Sequence, residues 1–221
     1  MNLAEYETLV FDCDGVILNS NKVKVNAFYQ SALPYGEKAA NALVDYHVER
    51  GGISRYKKFE WFLQEKVKGQ AGPNLEELLE AYASIVREGL LTCEIAEGLE
   101  ELREKTKSAN WLIVSGGDQN ELRDIFFQRE LTRFFDGGIF GSPDTKDFIL
   151  EREISSGNIK PQSLFLGDSK YDLDSAKKMR LDFMFVSDWS EWENSDSFQK
   201  FFKHTIGKLN ELNSLGGCSG Y

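Results

Sequence analysis

Asp12 and Asp14 stand two apart at the end of an apolar run and are followed by Gly15. In extended chain, alternate residues face the same side, so both carboxylates address one place. One carboxylate so placed can bind a cation and attack phosphorus while the other handles a proton. Other apolar runs close on further polar groups: Ser115 with Gly116 and Gly117, Lys146 after Asp144-Thr145, and Asp168 with Asp172. Acids at the ends of buried strands are costly unless a cation neutralises them. Phosphoryl transfer needs a nucleophile, a proton carrier and charge neutralisation on the equatorial oxygens, and these groups supply all three. Magnesium suits the donor set, because it prefers oxygen ligands and keeps several waters.

Each position has its own reading. Ser115-Gly116 is a hydroxyl with glycine amides, a phosphate cradle when it opens a helix. Lys146 is a partner for both Asp12 and a phosphate. Asp168 and Asp172, four apart, suit a metal ligand and its support. The segment from Asp168 to Asp174 lacks the glycine and closing glutamate of a calcium-binding loop, which excludes that alternative. Cys13 points away from its flanking acids, into the core.

The elements that must position these groups follow from the hydrophobic pattern. Short runs rich in β-branched and aromatic residues at 8–11, 111–114, 138–140, 163–166 and 182–186 read as buried strands. Helical spacing separates them, as in Leu99-Leu102-Thr106 and Leu122-Ile125-Phe126-Arg129. Strand alternating with helix implies a parallel sheet covered on both faces, with ligands beyond the carboxyl ends of the strands. Residues 20–90 break the alternation. They carry helical stretches at 39–49, 54–67 and 74–88, punctuated by Gly51-Gly52 and by the turn before Asn74. The expectation is an α/β fold with a core domain of residues 1–19 and 91–221 and a helical domain of 20–90 inserted after the first strand. The pairs Phe126-Phe127, Phe134-Phe135 and Phe201-Phe202 read as core packing, and the tail from Ser214 as loose.

Bulk composition narrows the function classes. With 41% hydrophobic residues in 221, the chain has ample material for a core. A net charge of −10 repels nucleic acid and anionic lipid, so neither is expected as a partner. Cys13, Cys93 and Cys218 form neither a disulfide framework nor a zinc pattern. The two histidines, His47 and His204, leave little for Ser-His-Asp or Cys-His catalysis. No basic segment followed by an apolar stretch opens the sequence and no apolar run suits a bilayer, so the expected setting is cytoplasmic.

The order of motifs resembles the haloacid dehalogenase (HAD) superfamily of aspartate-nucleophile phosphohydrolases. Asp12-Cys-Asp14-Gly-Val-Ile-Leu-Asn-Ser20 is similar to its first motif, Ser115 to its second, Lys146 to its third and Gly167-Asp168-Ser-Lys-Tyr-Asp172 to its fourth. The resemblance implies a Rossmann-like sheet ordered 5-4-1-2-3, with the helical insert as a cap. It implies that Asp12 is the nucleophile and forms an aspartyl-phosphate. It makes Asp14 the acid and then the base. Ser115 and the amide of Gly116 would hold phosphate, and Lys146 would orient the nucleophile. Magnesium would sit on Asp12, the carbonyl of Asp14 and Asp168, supported by Asp172. The dehalogenase branch lacks the second aspartate of the first motif, so Asp14 points to phosphate esters of small molecules.

Gly52-Ile-Ser-Arg55 resembles the cap segment of the β-phosphoglucomutase branch, where the arginine reaches a substrate phosphate or acid group. A sugar phosphomutase using the same aspartyl-phosphate is therefore the alternative to a phosphatase. Gly167 stands where those mutases carry a second acid, and Lys24 where they carry a histidine. His47 and Lys24 are further candidates for the cap cleft.

Overall fold

The structure, a computed structural model, describes residues 2–214. The tail beyond Ser214, including Cys218, lies outside the described residues. One parallel sheet organises the chain. Its strands are β1 (Thr8–Phe11), β2 (Asn110–Asp118), β3 (Gly138–Ser142), β4 (Ser163–Gly167), β5 (Asp182–Val186) and β6 (His204–Ile206), in the order β3-β2-β1-β4-β5-β6. The expected order of five strands stands, and β6 extends the edge next to β5. β6 escaped the sequence reading because it has three residues, two of them exposed.

Adjacent residues on each strand serve opposite faces, and both faces are dry. Leu9, Phe11, Trp111, Ile113, Leu164 and Leu166 pack on one side. That side is covered by α5 (Leu99–Lys105) and α6 (Gln119–Gln128) through Leu102, Leu122, Ile125 and Phe126. Val10, Leu112, Val114 and Phe165 pack on the other. There α7 (Lys146–Ser155) and α8 (Lys170–Met179) present Ile149, Leu150, Leu173 and Ala176. Full burial on both faces explains why the strands read as unbroken apolar runs rather than alternating ones. The aromatic pairs divide: Phe126, Phe134 and Phe135 are buried, but Phe127 is 75% exposed and Phe201 45%. Neighbours on a helix point about 100° apart, so a pair seldom shares one core face.

Residues 20–90 hold helices only. These are α1 (Asn21–Ala32), α2 (Glu37–Glu49), α3 (Arg55–Trp61) with a wide turn at Phe62–Lys66, and α4 (Leu75–Thr92). The sequence reading missed α1, whose apolar face is weakly marked by Ala27, Phe28 and Ala32. Asn74 starts α4 through a reciprocal cap, its side chain accepting from Glu77 N–H at 3.1 Å and its own N–H donating to Glu77 at 2.7 Å. Phe28, Phe59 and Tyr82 pack ring on ring among α1, α3 and α4, and Trp61 stacks on Tyr46 at 3.6 Å.

The chain leaves the sheet region and returns to it side by side. Asn19 N–H donates to Glu94 C=O and Ala96 N–H to Ile17 C=O, both at 2.9 Å. The Arg129 guanidinium donates to the Leu90 carbonyl at 2.8 Å and the Cys93 carbonyl at 2.6 Å, closing the C-terminal end of α4.

Candidate active site

The acids gather beyond the carboxyl ends of the strands. Asp12 follows β1, Asp168 follows β4, Lys146 opens α7 after β3, and Ser115 lies in the last part of β2. Gly15 lets the loop after β1 pass close to Asp168: its φ is +74°, and a Cβ there would lie 2.0 Å from Asp168 Oδ2.

Lys146 is the hub. Its ammonium lies 2.8 Å from Asp12 Oδ2 and 2.5 Å from Asp172 Oδ1, with all three side chains almost fully buried. Asp172 also accepts at Oδ2 from Ser169 Oγ (2.6 Å) and Ser169 N–H (3.1 Å). Asp168 accepts at Oδ2 from Asn21 Nδ2 at 2.8 Å, a donor supplied by α1. Burial pushes the Asp12 carboxyl up to about 7, against the pull of Lys146 and helped by Asp172 and Asp14. Burial, then Asp12 and Asp172, push Asp168 well above the usual carboxylate range. One lysine does not balance this much buried negative charge.

A divalent cation fits the deficit. Asp12, Asp168 and Asp172 each offer an oxygen, and these lie within 4.8 Å of one another. All are hard donors of the kind magnesium takes. Asp172 already spends both oxygens on Lys146 and Ser169, so it is suited to hold the cluster, and Asp12 and Asp168 to face an ion.

Asp14 is held from the insert. Its Oδ1 accepts from Ser20 Oγ at 2.6 Å, and its Oδ2 pairs with Lys24 of α1. Burial alone would raise its pKa, but the Lys24 charge and the bonds from Lys24 and Ser20 outweigh it and hold the carboxyl below its usual range. Ser115 is fully buried, and its Oγ accepts from Gly117 N–H at 3.0 Å. Ser115 does not open a helix. β2 continues to Asp118, and it is Asp118 that caps α6 by accepting from Glu121 N–H at 3.0 Å. The irregular pairing of β2 with β3 between Val114 and Asp118 lets the strand run past the glycines.

The insert closes over this end of the sheet. A Cβ on Gly116 would lie 2.2 Å from the Gly52 carbonyl, so backbone meets backbone there. Arg55 sends its fork to the Glu121 carboxylate and lies 4.7 Å from the Tyr82 ring centre. Tyr56 donates to Asp118 at 2.8 Å. Arg55 thus joins α3 to α6 while also lining the cavity that holds Asp12, Asp14 and Asp168. That cavity measures about 880 Å³, and Lys24, His47 and Lys58 line its insert side. Lys58 was not singled out in the sequence, although it lies three residues after Arg55, the spacing that puts both on one helix face. Glu121, Asn21 and Ser20 were also missed; Ser20 closes the first motif and was the nearest to being readable.

The model of the haloacid dehalogenase-like hydrolase family matches residues 9–186, and the chain belongs to that family. No match is found among curated proteins. Solved structures with this fold include a haloacid dehalogenase-like hydrolase from Streptococcus pneumoniae, 20% identical, with 96% of this chain and 98% of that one aligned at a TM-score of 0.70. A predicted phosphoglycolate phosphatase from Haemophilus somnus is 14% identical, with 96% and 98% aligned and a TM-score of 0.73. β-Phosphoglucomutase from Clostridium difficile is 20% identical, with 94% and 93% aligned and a TM-score of 0.69. At these identities the likeness is one of fold. Among the described residues, no helix is long and apolar enough to cross a membrane.

Proposed function

We propose that the protein is a magnesium-dependent phosphatase that hydrolyses a small phosphorylated metabolite, a sugar phosphate or phospho-acid. The observation that carries this reading is the buried Lys146 bridging Asp12 and Asp172 beside Asp168. Asp12 is the nucleophile, and attack by its carboxylate forms an aspartyl-phosphate and releases the alcohol. Asp14, once it lets go of Lys24 and takes up a proton, gives that proton to the leaving oxygen, and as a carboxylate again it takes one from the water that cleaves the acyl phosphate. Lys146 neutralises and orients Asp12. Ser115 and the Gly116 amide bind phosphate oxygens, and Arg55 contacts the rest of the substrate. Asp12, the Asp14 carbonyl and Asp168 are the residues that would hold magnesium, supported by Asp172. The ion supplies positive charge for the transferring phosphoryl group. Residues 20–90 serve as a cap on the core of 1–19 and 91–221, and the closed cap excludes water and polymeric substrates.

Phosphate release from a panel of sugar phosphates, phospho-acids and nucleotides, with magnesium and with Asp12→Asn as the blank, tests the reading. Equal rates for Asp12→Asn and the parent would falsify it. A phosphomutase is the second reading. The Arg55–Glu121 seam favours it, because a mutase must retain its intermediate under a closed cap. Conversion of a sugar 1-phosphate to the 6-phosphate, dependent on a bisphosphate primer and with little net phosphate released, would decide for it.

A further inference from the structure

Four cations of the insert line the cavity: Lys24, Arg50, Arg55 and Lys58, of which Arg50 is exposed to water. Two are already balanced, Lys24 by Asp14 and Arg55 by Glu121. Lys58 is different. It is 1% exposed, and among the described residues no carboxylate lies within ion-pair distance of its ammonium. Its nearest partner is the neutral ring of His47, whose Nδ1 lies 2.6 Å away, with the His47 carbonyl at 3.4 Å. Phe28 flanks both, its ring centre 5.4 Å from Lys58 Nζ and 4.5 Å from the His47 ring. His47 Nε2 is buried and has no hydrogen-bond partner among the described residues.

A buried ammonium without an anion is among the costliest groups a fold can carry. A lysine is flexible enough to reach solvent, yet this one turns inward to a cavity that also holds Asp12 and Asp14. His47 accepts one of its N–H groups and fixes its direction. The arrangement is incomplete by one negative charge. Charge balance sets what completes it. A single buried, unpaired ammonium matches a monoanion; a second phosphate, with nearly two charges, would need the exposed Arg50 drawn inward or Lys24 or Arg55 released from its own partner.

We propose that Lys58, oriented by His47, determines specificity by pairing with a carboxylate carried on the leaving group of the phosphate ester. The substrate class is then a phosphorylated hydroxy acid. This rests on the phosphatase reading of the same cavity and selects within it. The unoccupied state is tolerated because burial lowers the Lys58 pKa to about 7, so the amine sheds its proton in part when no anion is present. Lys24 and Lys146 add to that lowering, and Asp14 and Glu191 oppose it from a distance.

The test compares 3-phosphoglycerate with glycerol 3-phosphate, which share a carbon skeleton and differ by carboxylate against hydroxymethyl. Glucose 1,6-bisphosphate is the third probe. The full chain with magnesium is expected to prefer the carboxylate ester by about tenfold or more in kcat/KM, the size of one charged hydrogen bond. Lys58→Met and Lys58→Gln are expected to bring that ratio near one, through KM. No preference in the parent, a preference that survives both substitutions, or a bisphosphate used better than either ester overturns the assignment. If the parent turns over none of the three, the phosphatase reading is judged separately, on the wider panel against Asp12→Asn. The subsite is then decided by thermal shift in Asp12→Asn. Greater stabilisation by the carboxylate ester, lost on Lys58→Met, sustains it; equal stabilisation by the two esters ends it.

Discussion

Lys24 of α1 pairs with Asp14 in the loop after β1, so the insert itself holds one of the two carboxylates of the first motif. Ser20 takes the other oxygen of Asp14 at 2.6 Å. Because both partners of this ion pair are largely shielded, removing the cation leaves a charge that water reaches only through the cavity. Lys24→Met is expected to destabilise the fold by about 3–5 kcal/mol in urea unfolding. Adding Asp14→Asn is expected to recover most of that loss. A single substitution as mild as a surface change would show that the pair is not formed in solution.

Lys146 makes the stronger demand. It has Asp12 on one side and Asp172 on the other and no room for a larger head group. Lys146→Met is expected to lower kcat/KM by at least ~100-fold, as loss of one preorganised charge does. Lys146→Arg should fail to restore it, because a guanidinium neither fits nor reproduces a point charge. Steady-state kinetics on the best panel substrate reads both.

A different variant probes the contact between insert and sheet. Gly116→Ala places a methyl group 2.2 Å from the Gly52 carbonyl, a distance that neither backbone can absorb without moving. The expected result is a protein that folds and binds magnesium but works at least ~10-fold more slowly, since misplacing groups by about 1 Å can cost that much or more. Activity at parental level would mean that the seam is open during turnover.

Lys58 sets a pH dependence of stability. Its pKa falls from the ordinary lysine value to about 7 on folding, chiefly through burial. Below pH 7 the amine is charged in both states and the full burial penalty is present. Between pH 7 and about 10.4 the folded form is neutral while the unfolded form still holds its proton, so the penalty shrinks as pH rises. Lys58→Met should therefore stabilise the protein most at pH 6 and least near pH 10. Guanidinium melts at the two values check the sign, and a gain that grows with pH would contradict it.

Magnesium should stabilise the fold by mass action, since its ligands come together only in the folded chain. The expected result is a Tm that rises with the logarithm of magnesium concentration in the parent. Asp168→Asn should lose that rise, and differential scanning fluorimetry with and without chelator measures it.

What could be read early depended on distance along the chain. Asp12, Ser115, Lys146 and Asp168 each end an apolar run, and a parallel sheet brings such ends together whatever lies between. The convergence of Asp12, Lys146 and Asp168 was therefore legible residue by residue, while Ser115 turns its hydroxyl to Gly117 N–H. The role of Asp118 was not, because a strand that continues through two glycines looks like a strand that stops. Arg55 meeting Glu121 and Lys58 meeting His47 depend on how α3 lies against α6 and α2, which no local pattern encodes. Phe127 and Phe201 misled for the opposite reason: their apolar character is local, while burial is decided by the face they turn to.

The hydrogen bonds from Asn19 to Glu94 and from Ala96 to Ile17 place the two chain crossings of the insert next to each other. Topologically the whole helical segment is one long loop on a closed stem. Lengthening or shortening such a loop changes its closure entropy only logarithmically, by about 0.6 kcal/mol for each doubling. The segment above the sheet can thus change length without re-threading a strand, so long as its first turn keeps Ser20, Asn21 and Lys24, which hold Asp14 and Asp168.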